Sequence, residues 1–237
     1  EQDYFVTVQN CGVTLDENGR KVLVTEDIRN GNGRTIKSRY STPNRVDKIQ
    51  EPIQSIFWIM KDDALPPLVK ITDPRLASIL GCTLMTKRST AENTGAGANL
   101  DALVIEPYAN PFRVYPLVED YEKFKALFDK GVDCYIINTG DFLGKKVTKE
   151  VSLGVIETVV DGKANFELFG GLPGMEYLPV EGYEVPDMNG EYAELIRDRM
   201  QFRLDYLKAF NDANPEHQIP QDALESIKTI ERFIDVL

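Results

Sequence analysis

Between Asp120 and Gly162 the chain alternates helix, strand, loop and helix, and this alternation constrains its fold more than any other feature. Asp120–Lys130 sets Tyr121, Phe124, Leu127 and Phe128 on one helical stripe. Gly131 stops that helix, and Cys134–Ile137 is an apolar strand that runs into Asn138-Thr139-Gly140. Lys149–Val160 reads as the next helix, closed by Asp161-Gly162. A strand between amphipathic helices buries its faces only in a layered core. The fold class is therefore α/β (mixed α+β), a mixed sheet with flanking helices.

The flanking sequence fits that plan. Tyr4–Val8 reads as a strand, and residues 4–25 alternate apolar and polar around Asn18-Gly19, the signature of a hairpin ending near Val24. A chain that opens on a strand, at Glu1, is expected to be cut from a longer protein. Residues 26–48 are polar and rich in Gly and Asn, so they read as a loop. Ile53–Met60 is short and apolar, the pattern of a strand buried on both faces. Asp73-Pro74 starts a helix, with Asp as the cap and Pro in the first turn. Residues 82–108 contain a small, polar segment expected to be mobile. Residues 164–188 read as irregular or short-stranded, and Glu191–Phe210 and Gln221–Val236 as a C-terminal helical pair broken at Asn214-Pro215. The expected division is 1–189 and, packed on it, 190–237.

Composition narrows the function. With 42% hydrophobic residues, 11 Phe and 10 Tyr, the 237 residues supply a sizeable core. No run of 18 apolar residues suggests a membrane span, and no basic-then-apolar leader suggests secretion. A net charge of −11 disfavours nucleic acid as a partner. Cys11, Cys82 and Cys134 are odd in number and widely spaced, which suits a reducing cytoplasm better than a disulfide framework. His217 is the only histidine and lies beside Pro215 and Glu216 in a turn, so zinc and nucleophile–histidine chemistry are disfavoured.

Phosphoryl transfer needs amides around the phosphates, a lysine and metal-binding carboxylates or hydroxyls, and no stretch here supplies them together. No metal-binding residue is expected. The positive signals are basic. Arg34, Lys37 and Arg39 fall within six residues of a Gly/Asn-rich loop that carries five basic side chains between Arg29 and Arg45. Lys87-Arg88 is a second basic pair, and 140–152 links a strand end to a helix, where ligands of α/β sheets bind. Each of these also suits an ordinary solvated turn.

Taken in order, these segments resemble ATP-dependent phosphoenolpyruvate carboxykinases, in the C-terminal half of the catalytic domain. The most specific stretch is Gly131-Val-Asp-Cys-Tyr-Ile-Ile-Asn-Thr-Gly140 followed by Gly144-Lys-Lys-Val-Thr-Lys-Glu-Val-Ser152 and continuing to Gly162. It is similar to the family's strand ending in Asn-Thr-Gly, its Gly-Lys-Arg turn and its following helix. Leu65-Pro66-Pro67 with Val69, the lid-like 86–107 and the basic stretch 34–40 fall in the family's order. The likeness covers roughly residues 10–190.

The resemblance implies a nucleotide-binding half of an enzyme that converts oxaloacetate and ATP to phosphoenolpyruvate, CO₂ and ADP with Mg²⁺ and Mn²⁺, inactive and without firmly held cofactor by itself. Its partner would be the N-terminal half of the same polypeptide. Lys146 stands where the family packs an Arg on the nucleotide, Val147 would lie against adenine by backbone and side chain, and Ser152 stands near base and ribose. One of Arg34, Lys37 and Arg39 would meet phosphate, and Arg88 would be the lid's basic residue. The family's phosphate loop, metal ligands and oxaloacetate-binding Arg have no counterpart here. A kinase with another acceptor and a non-catalytic binding module remain the alternatives.

Overall fold

The computed structural model describes residues 6–9, 12–24, 34–37, 48–87, 102–110 and 113–236. The chain divides into two compact units, one of residues 1–52 with 87–102 and one of 53–86 with 103–237. The C-terminal helices from 190 onward belong to the second unit.

In the first unit β1 (Val6–Gln9) and β2 (Gly12–Leu15) precede β3 (Lys21–Val24) and β4 (Arg34–Lys37). β2 and β3 form the expected antiparallel hairpin. Its turn places Gly19 at φ 73°, and the Asp16 carboxylate accepts from Asn18 N at 2.9 Å and Arg20 N at 2.8 Å. β1 pairs antiparallel with β4, Val6 opposite Lys37. Residues 34–37 are therefore a strand, not part of a continuous loop. Thr35 and Ile36 are β-branched and favour the extended backbone over the turn chemistry of the neighbouring glycines.

The second unit is a mixed sheet with helices on both faces. β5 (Ser55–Met60) and β6 (Leu68–Ile71) are followed by α1 (Pro74–Cys82), a ladder of β7 (Met85–Lys87) with β8 (Leu103–Ile105), and α2 (Leu117–Phe128). After β9 (Asp133–Asn138) come the hairpin β10 (Asp141–Phe142) and β11 (Lys145–Lys146), then α3 (Lys149–Val160), β12 (Glu167–Leu168) and β13 (Met175–Tyr177). α4 (Gly190–Ala213) and α5 (Gln221–Ile234) close the chain. The five-stranded sheet runs β12, β13, β6, β9, β5, and only β5 and β9 are parallel.

β5 is an edge strand, which corrects the expectation that it is buried on both faces. Trp58 and Met60 enter the larger core with α1, α2, α4 and α5, while Ile59, on the opposite face, is 64% exposed. On that second face Val155 of α3 covers Leu68, Tyr135 and Ile137 of β6 and β9. Asp73 caps α1 as its sequence predicts, accepting from Arg75 N and Leu76 N at 2.9 Å. Leu76, Ile79 and Leu80 are at most 1% exposed, and each contributes about 1.5–3 kcal/mol by burial. α2 starts at Leu117, three residues before the expected Asp120, because Pro116 provides the extended residue that precedes its first turn. Residues 88–101 of the expected lid lie outside the described residues. Among the described residues no helix is long and apolar enough to cross a membrane.

Candidate functional site

Because β5 and β9 run parallel with Met60 opposite Asn138, their carboxyl ends deliver Lys61–Asp63 and Thr139–Asp141 to one edge of the sheet. Asn138 joins the two turns. It is fully buried, and its Nδ2 donates to the carbonyls of Asp62 at 2.8 Å, Leu65 at 2.6 Å and Asp141 at 2.9 Å. Its Oδ1 accepts from Gly140 N at 2.9 Å and more weakly from Asp62 N at 3.4 Å. Gly140 fits because it lacks a side chain: a Cβ there would lie 3.2 Å from both Asn138 Oδ1 and Lys61 Cβ.

The chain then reverses through a two-residue hairpin loop. Leu143 at φ 47° and Gly144 at φ 80° give the paired left-handed conformation that suits the twist of β10 and β11. Leu143 N donates to Asp63 O at 2.9 Å, which fastens the loop to the turn after β5. Phe142 is buried, so the hairpin is packed down from below.

This reversal aims Lys146 back at the strand end. Its Nζ donates to Thr139 O at 2.9 Å and Gly140 O at 3.3 Å. An ammonium has three donors, and among the described residues two acceptors meet it. Val147 is 2% exposed and packs in the larger core, and its N–H donates to Gly140 O at 3.0 Å. Neither its side chain nor its N–H is therefore presented to a ligand, contrary to the side-chain contact with a base expected from sequence. Thr148 caps α3 through Val151 N, and half-buried Ser152 donates its hydroxyl to Thr148 O at 3.1 Å in the first helical turn. Lys146 and Ser152 thus flank one strand–hairpin–helix junction, with Val147 as its buried pivot.

A strap from the β13–α4 connection holds the junction from the other side. The Tyr183 hydroxyl donates to Lys146 O at 2.6 Å, and Lys145 Nζ donates to Gly182 O while lying 4.6 Å from the Tyr183 ring centre. A cleft of about 300 Å³ adjoins this strap, lined by Tyr177, Val180, Tyr183, Glu184 and Val185 among others.

Arg34 and Lys37 occupy the ends of β4 in the first unit, and Arg39 and Arg88 lie outside the described residues. Among the described residues no group of three His, Cys, Asp or Glu side chains is placed to hold a metal ion. Asp62 and its arginines carry no local sequence signal. Asp62 is buried and accepts from Arg203 Nη2 and Arg199 Nε, both at 3.2 Å. A charged residue on an amphipathic helix ordinarily reads as solvated, so nothing in the pattern of α4 marked Arg203. No protein-family model matches this chain, and no curated protein matches it.

Proposed function

We propose that this chain is the nucleotide-binding half of a phosphoenolpyruvate carboxykinase-like enzyme, whose complete reaction takes oxaloacetate and ATP to phosphoenolpyruvate, CO₂ and ADP. One observation carries the reading. Two parallel strands end together, and the turn after β9 returns a lysine, with two acceptors among the described residues for its three donors, to that edge. Ligands of open α/β sheets bind in the crevice beyond the carboxyl ends of such strands. Lys146 supplies positive charge there, Ser152 a hydroxyl one helical turn on, and the backbone around Gly140 a close approach.

In this reading the chain binds and orients the nucleotide, and the phosphate loop, Mg²⁺, Mn²⁺ and oxaloacetate-binding arginine belong to the N-terminal half of the same polypeptide. The described residues offer no donor set that fits either metal, so no step through a metal is assigned to them. The basic residues Arg34, Lys37, Arg39 and Arg88 stay candidates for the phosphate and lid contacts.

A second reading, a non-catalytic binding module, has its own support: two donors of Lys146 already hold backbone carbonyls, as a purely structural lysine would. Calorimetric titration separates the two. A desolvated charge-assisted contact is worth about 1.5–3 kcal/mol, so Lys146→Ala should weaken ATP affinity about tenfold or more. Equal affinity of variant and wild type, or no ATP binding by either, favours the module.

A further inference from the structure

We infer that Asn138 is the positioning residue of this sheet edge, setting where Lys146 points. Three observations converge on it. Its carboxamide bridges the two post-strand turns from within, bonding Asp62 and Leu65 after β5 and Gly140 and Asp141 after β9. The two carbonyls that hold the Lys146 ammonium, those of Thr139 and Gly140, are the two residues directly following it. Gly140 also bonds the hairpin end through Val147 N, so the same short turn fixes both the lysine's side chain and its strand.

The chemistry requires an amide. Its two N–H donors are shared among three carbonyls and its oxygen meets Gly140 N, in a site that excludes water. Aspartate would set oxygens against three carbonyls, and a shorter side chain would leave these groups orphaned. Lys145 provides the internal comparison. It neighbours Lys146 in sequence but is held by Gly182 O and the Tyr183 ring, which do not touch Asn138. The functional consequence, that Asn138 governs nucleotide affinity, rests on the reading of this edge as the nucleotide site.

The test labels lysine side chains with ¹³C and ¹⁵N in the full chain and follows Lys145 and Lys146 in wild type, Asn138→Ala and Gly140→Ala. Gly140→Ala presses a methyl against the Asn138 oxygen without removing the amide, so it reports on the same clamp should Asn138→Ala fail to fold. The expected result is loss of the distinct Lys146 signal, with Lys145 unchanged, and exchange of the Gly140 amide about tenfold faster for the lost hydrogen bond. Folded variants in which Lys146 keeps its wild-type signal, or in which both lysines change together, overturn the proposal. ATP titrations of the same samples keep the two claims apart. A displaced Lys146 with unchanged ATP affinity leaves the clamp standing and removes the nucleotide reading.

Discussion

Arg203 Nη2 lies 3.2 Å from the carboxylate of Asp62, and each side chain is 1% exposed. The guanidinium also donates to Thr83 O and to Thr83 Oγ1 at 3.2 Å, while its Nε has no partner. Burial lowers its pKa from the usual arginine value to about 10. Two charges removed from water depend on each other, and loss of Arg203 leaves the buried Asp62 with only the partly exposed Arg199. Arg203→Met should therefore cost about 3–5 kcal/mol in urea unfolding, whereas Asp62→Asn combined with Arg203→Met should cost less than that single change. A single variant within about 1 kcal/mol of wild type would contradict this account.

This pair also shows what the sequence made legible. α1, α3 and the hairpin at Gly19 were readable because caps, left-handed glycines and helical periodicity are local signals. The strand at 34–37 was hidden inside a glycine-rich stretch, and the edge position of β5 depends on which strands pair, which no local pattern encodes. At the candidate site the order strand, Gly140, lysine, helix was readable. Burial of Val147 and the bonds of Asn138 were not, because both arise from contacts with residues 62–65 and the wider core. Long-range pairing, not propensity, decided them.

Gly81 shows the same dependence. A Cβ at this position would lie 2.9 Å from Tyr108 Cδ1 and 3.1 Å from Trp58 Cζ2, and closer still to Tyr108 Cε1. The Tyr108 ring cannot retreat, because it stacks on Phe124 at 4.6 Å and its hydroxyl donates to Ser78 O at 2.9 Å. Overpacking costs about 1–3 kcal/mol against the roughly 1 kcal/mol that alanine gains in a helix. Gly81→Ala should lower the melting temperature, and an unchanged or higher value would refute the close packing.

Stability should fall in alkali. Burial pushes the Cys82 thiol from its ordinary value of 9.0 up to about 12, and raises Cys134, Tyr108 and Tyr192 as well. These groups hold their protons to higher pH when folded than when unfolded, so the folded state binds more protons above pH 9. Their contribution is complete below the unfolded values and is lost as pH rises toward the folded ones. The slope is up to about 1.4 kcal/mol per pH unit for each group. Melting curves between pH 8 and 11 should decline from about pH 9, and Cys82→Ala should remove about half of the decline between pH 9 and 10, where Cys134 still contributes. A flat profile would show that the thiols are not buried.

The most direct measurement of the central claim is an amide NMR titration of the chain with ATP, using inorganic phosphate as a control for charge alone. Nucleotide binding at this edge should give shift changes centred on Gly140–Ser152, including Lys146 and absent with phosphate, that vanish or need about tenfold more ATP in Lys146→Ala. No change in this segment at millimolar ATP, or changes confined to residues remote from the carboxyl ends of β5 and β9, would contradict it.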